Sequence, residues 1–194
     1  YTMKKIFKYL PIVALPAIGM SSAFALEQVN GSATVIVQNS FTLQEDTGLD
    51  FGTVRASADT TGTTVATLTL PADGSASSVV QGTNATIQSI TAGAAATFSI
   101  SAAAPSTALT LTLPTSTSLT TGGGTASFTV NNFVAEVTSG PSNGSTYAAS
   151  NLITDTTGAV TFSVGADLVT DATTPAADYL NGTYTGTYQV SVDY

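Results

Sequence analysis

Apolar and polar residues alternate along most of this chain, most regularly over its last eleven positions. In YTGTYQVSVDY, Tyr184, Gly186, Tyr188, Val190, Val192 and Tyr194 fall on one side, and Thr185, Thr187, Gln189, Ser191 and Asp193 on the other. A period of two over this length predicts a β-strand with one buried and one wet face. An apolar strand in this position is either paired inside its own sheet or offered to another protein. A second alternating stretch lies near the start. Val29, Gly31, Ala33, Val35 and Val37 share a face, opposite Gln28, Asn30, Ser32, Thr34 and Gln38, with Ile36 the only departure. It reads either as the first strand of a sandwich or as an N-terminal arm whose narrow face fits a groove between sheets.

Further alternating runs are predicted at 33–37, 41–43, 49–54, 63–70, 84–90, 96–101, 108–113, 126–137, 159–169 and 183–194. Turn signals separate them: Ala72-Asp73-Gly74, Gly122-Gly123-Gly124, Pro141-Ser142-Asn143-Gly144 and Asn181-Gly182. No stretch after residue 25 has a helical period. Many short strands with frequent turns and no helix predict an all-β, immunoglobulin-like β-sandwich in one domain.

The first 25 residues have a different character. Lys4, Lys5 and Lys8 precede an apolar core from Leu10 to Met20, and Ala23-Phe24-Ala25 supplies a small-x-small cleavage signature. With Met3 as the natural start, residues 1–25 are expected to be upstream residues and a cleaved signal peptide. The apolar stretch is short for a membrane anchor and is interrupted by Pro11 and Pro16. The expected organisation is therefore leader 1–25, donor-strand arm 26–37 and sandwich domain 38–194.

Cleavage would remove all three lysines and leave Arg55 as the only basic side chain against twelve carboxylates. Such a surface repels phosphate backbones and anionic lipid, so nucleic acid and membrane insertion after cleavage are not expected. The chain has no His and no Cys. Zinc sites built on those residues, thiol nucleophiles and histidine bases are thereby excluded, and an enzyme, a cofactor and a metal site are not expected. The carboxylates Glu45, Asp46, Asp50, Asp167, Asp171 and Asp178 have neither calcium-loop spacing nor a paired-acid signature, and read as solvated charge. Asp50, beside Arg55, is placed for a local ion pair. The tyrosines read as core and turn contacts more readily than as a sugar platform.

With these residues in view, the pattern resembles a family of exported bacterial β-domains of unknown function. The resemblance rests on Leu49-Asp50-Phe51-Gly52 near the start and a GxYxGxxxVxVxY ending that begins at Gly182. It is similar, more distantly, to the spore-coat-protein-U-like pilins of archaic chaperone–usher pili, from which it departs in having no cysteine. The pilin resemblance implies a sandwich lacking its last strand, completed by the N-terminal arm of a neighbouring subunit. The inserting positions would be Val29, Gly31, Ala33, Val35 and Val37. The strand beside the acceptor groove would carry Tyr184, Tyr188, Val190, Val192 and Tyr194. Identical subunits, a periplasmic chaperone and an outer-membrane usher are the partners implied, and an extracellular filament on the bacterial surface the location. The alternative is a monomeric secreted or surface-attached sandwich that binds carbohydrate or another surface target.

Overall fold

The computed structural model describes residues 29–37, 40–122, 126–173 and 178–194. The leader, residues 1–25, lies outside them, as do Glu27 and Gln28. The chain divides into two units, Tyr1–Ile36 and Val37–Tyr194. In the first, the described residues 29–36 form no strand, and Val29, Val35 and Ile36 are 95, 82 and 86 % exposed. The predicted strand at 33–37 is therefore absent as a paired element, and Val37 in the second unit is exposed as well.

The second unit is an all-β sandwich in which every strand pairing is antiparallel. Its larger sheet is organised on β12 (Val160–Val169), ten residues long. One edge of β12 pairs with β6 (Ala96–Ser101) through its first half and β3 (Thr67–Leu70) through its second. β1 (Thr42–Thr47) extends the sheet beyond β6, and β4 (Ser78–Val80) beyond β3. The other edge of β12 pairs with β9 (Phe128–Val137), which in turn pairs with β8 (Ser116–Leu119) and β10 (Ser145–Thr146). A second layer is split in two. β7 (Ala108–Thr112) pairs with β11 (Leu152–Ile153) and β13 (Ser191–Asp193), and β2 (Thr53–Ser57) pairs with β5 (Thr86–Thr91).

Strict alternation explains why β12 can be central. Val160, Phe162, Val164, Ala166 and Leu168 are all buried on one face. Phe162 lies opposite Phe98 of β6, and their rings stack at 5.1 Å. In β9 the inward set changes phase, from Phe128 and Val130 to Ala135 and Val137. The break is a β-bulge, with Asn132 at φ 51° and a register shift opposite Gly165–Asp167. One extra residue there turns the strand over without ending it. The sequence run 126–137 conceals this break, and only the Asn131-Asn132 doublet marks it.

The split second layer gives the core two parts. One cluster, around Phe98, Phe162, Leu109 and Leu152, lies under β7 and its partners. The other, around Leu68, Ile87, Phe128 and Leu168, lies under β2 and β5. Leu49 and Phe133 pack against both. Adjacent strands of a closed layer would hydrogen-bond, but β2 pairs with β5 alone among the described strands and β13 with β7 alone.

Candidate functional site

The chain crosses from the first layer to the second at Leu49-Asp50-Phe51-Gly52, and each residue has its own reason to be there. Leu49 packs where the two clusters meet. Asp50 exchanges two backbone bonds with Ala94, at 3.0 and 2.7 Å, and its Oδ1 accepts the Gly52 N–H at 2.8 Å. That turn occupies the carboxylate, and no ion pair joins Asp50 to Arg55 among the described residues. Phe51 is buried. Gly52 has φ 73°, and a Cβ there would run into the Thr91 carbonyl, so the corner requires glycine.

The motif delivers β2 to the second layer with its outer edge unpaired. Facing that edge is the segment 183–188. Thr185 exchanges backbone bonds with Thr120 at 2.9 and 3.0 Å, and Thr117 Oγ1 donates to the Thr187 carbonyl at 2.7 Å. Gly186 lies so close to the Ser118 carbonyl that a Cβ would collide with it. The second glycine of the closing GxYxG pattern thus has a steric cause: the segment presses against β8, and its other side has no ladder partner among the described residues.

Between β2 and this segment lies a groove of about 820 Å³. Leu119, Phe128, Val130 and Leu168 contribute apolar lining, with Tyr184 and Tyr188 on the side opposite Phe51 and Val54. Arg55, Ile90 and Leu180 are exposed residues at its margin. Tyr179 stacks on Phe128 at 4.2 Å and Tyr184 meets it edge-on at 5.2 Å. The structure therefore brings Tyr184 and Tyr188 to the groove. Val190 and Val192 pack further along, on the first core cluster. Tyr194 is further still, edge-on to Phe41 at 5.4 Å, with its hydroxyl accepting the Ala104 N–H at 3.0 Å. Only 191–193 of the predicted strand 183–194 form a ladder; Thr185 makes an isolated bridge.

The tyrosine hydroxyls are committed to the protein itself. Tyr179 accepts the Asp171 N–H at 2.7 Å and donates to the Ser127 carbonyl at 3.0 Å. Tyr184 bonds both backbone groups of Leu180, and Tyr147 accepts the Leu111 N–H. Tyr188 donates to Glu45 Oε1 at 3.2 Å; burial, and then the Glu45 charge, push its phenol well above the ordinary value.

One carboxylate read as solvated charge, Asp171, is buried, and so is Asp59, which the sequence reading did not single out. The Asp171 Oδ2 accepts from Ser127 N and its Oδ1 from the Thr173 N–H and hydroxyl. Burial alone would raise its pKa, but these donors outweigh burial and hold the carboxyl below its usual range. Asp59 is also buried and binds Thr61, Gly62 and Thr64; the Thr64 hydroxyl contributes most to holding it down. The Asp-x-Thr spacing in both, Asp59/Thr61 and Asp171/Thr173, is the local signal for such self-capped turns. Among the described residues, no group of three or more His, Cys, Asp or Glu side chains is placed to hold a metal ion.

A family model described as "Domain of unknown function (DUF4402)" matches residues 41–194. The chain belongs to this family. The DUF4402 match begins at Phe41, one residue before β1, and takes in both walls and the floor of the groove. Residues 29–37 lie before it. No curated protein matches the chain, and no solved structure does.

Proposed function

We propose that this DUF4402 protein is the repeating subunit of an extracellular filament, in which the arm of one copy completes the sandwich of the next. The observation that carries the reading is the groove itself. Beneath it lie Leu119, which is half-buried, and the buried Phe128, Val130 and Leu168, and it is flanked by two segments, β2 and 183–188, whose facing sides have no ladder partner among the described strands. An added strand would supply hydrogen bonds to such edges and side chains to the floor.

The arm supplies a complementary pattern. Val29, Ala33, Val35 and Val37 share a face whose opposite positions are polar except for Ile36, and all of them are exposed. Burying each valine contributes about 1.5–3 kcal/mol. The chain enters the sandwich at Phe41, beside Tyr194, whereas the groove begins beyond the far end of β1, where Tyr188 reaches Glu45. Arm and groove are unlike surfaces, and pairing of unlike surfaces between copies is head-to-tail, which propagates as an open filament where the ring does not close. Export to the cell surface, with a periplasmic chaperone holding the groove before an usher delivers the subunit, belongs to the same proposal.

The test is removal of residues 27–37. The truncated protein is expected to keep its sandwich by circular dichroism and to lose filaments under the electron microscope. Filaments of normal length from the truncated protein would refute the arm's role. A monomeric sugar-binding sandwich gains no support from the tyrosines, whose hydroxyls already have protein partners.

A further inference from the structure

Asn–Gly occurs at Asn30–Gly31, Asn143–Gly144 and Asn181–Gly182. The pair carries its own chemistry, because glycine lets its amide nitrogen bend back onto the preceding asparagine side chain. A fixed backbone prevents that ring closure. Gly144 lies in the turn between β9 and β10 at φ 79°, with its N–H committed to the Val137 carbonyl at 2.8 Å. Asn181–Gly182 follows Leu180, both of whose backbone groups are held by the Tyr184 hydroxyl at 3.1 Å, and a Gly182 Cβ would sit 3.2 Å from Thr121 Oγ1. Asn30 and Gly31 are exposed and in no strand, and among the described residues nothing lies within 4 Å of where a Gly31 Cβ would be.

We propose that Asn30–Gly31 is a site of spontaneous modification, converting to aspartate and isoaspartate through a succinimide. The Gly31 nitrogen gives its proton to solvent and attacks Cγ of Asn30. The N–Cγ bond forms, the Cγ–Nδ2 bond breaks, and the side-chain nitrogen leaves as ammonia after taking up a proton. Water then opens the ring at either carbonyl, with no change of oxidation state. Opening to isoaspartate routes the main chain through the side-chain carbon and adds one methylene between Val29 and Gly31. The period of two is lost at that point, so Val29 no longer shares a face with Ala33 and Val35. Resting on the donor-strand reading above, this disables arms that have not docked and spares docked arms, whose Gly31 backbone is held extended.

Peptide mapping of the purified protein, arm retained, in warm and mildly alkaline buffer tests the chemistry. Asn30 is expected to convert several-fold faster than Asn143, and Gly31→Ala to slow Asn30 several-fold while leaving Asn143 unchanged. Equal rates at Asn30 and Asn143 would overturn the site. For the consequence, unassembled protein is aged beside an Asn30→Gln variant and both are then allowed to assemble. Aged wild-type protein is expected to lose filament formation and the variant to keep it; undiminished assembly by fully converted protein would overturn the disabling step. Fresh protein that never assembles would instead refute the donor-strand reading, and the rates at Asn30 would still decide the site.

Discussion

Gly186 and Gly31 are both small residues on an alternating face, and the structure gives them opposite roles. A side chain at Gly186 would meet the Ser118 carbonyl, whereas one at Gly31 would meet nothing within the described unit. Gly186→Val is accordingly expected to destabilise the domain by about 1–3 kcal/mol, as overpacking against fixed backbone does, read as a lower melting temperature. Gly31→Leu is expected to leave the melting temperature unchanged and to abolish assembly. A Gly31→Leu protein that assembles normally would remove Gly31 from the joint. Tyr179→Phe keeps the ring on Phe128 but loses both hydroxyl bonds, at a cost of about 1–3 kcal/mol for the polar groups left unpaired. Acid dependence follows from Asp59, Asp155 and Asp171, all held below the ordinary carboxyl value in the folded state. The unfolded chain takes up protons first as pH falls, so their stabilisation is present above about pH 4 and lost below it as each folded value is passed. Thermal melts should be flat near neutrality and fall steeply in acid, and Asp171→Asn should make that fall shallower.

At the scale of elements, the arm and the groove should recognise each other as separate pieces. A synthetic peptide of residues 27–37 added to the arm-deleted domain is expected to raise its melting temperature with increasing concentration, since it binds only the folded form. The same peptide with Gly31→Leu should have no effect, and no shift with either peptide would count against strand insertion. Much of the fold was legible because strands such as 96–101 and 160–169 are buried on one face, which forces the period of two. Strands β4, β8 and β10 were not, since they are two to four residues long and largely exposed, where burial imposes little pattern. Strand β11, with Leu152 buried, is only two residues long and too short to show a period. The groove was only half legible. Tyr184 and Tyr188 could be read from their alternation, but the opposite wall depends on the corner at Leu49–Gly52, whose cause is backbone crowding against Thr91 and Ala92. Asp59 and Asp171 escaped because burial of a carboxylate depends on how its turn closes over it.

For the whole molecule, a joint made by strand insertion differs from one made by surface charge. Filaments are expected to survive high salt, because a buried ladder and apolar contacts are little screened. Reductant should have no effect on a chain without cysteine. Release of monomers by moderate salt alone would instead indicate electrostatic contacts. The lack of cysteine also makes the joint open to direct mapping. Single cysteines are placed in turn at positions 29 to 37 of one preparation, and each is mixed under oxidising conditions with a second carrying Leu119→Cys on the groove floor. A disulfide requires the two Cβ atoms to approach within about 3.5–4.5 Å. A disulfide-linked dimer is predicted from the one or two arm positions that dock over Leu119, both on the face that includes Val29, Ala33, Val35 and Val37, and not from the positions between them. Dimers formed equally from both faces, or from neither, would contradict insertion of this arm into this groove.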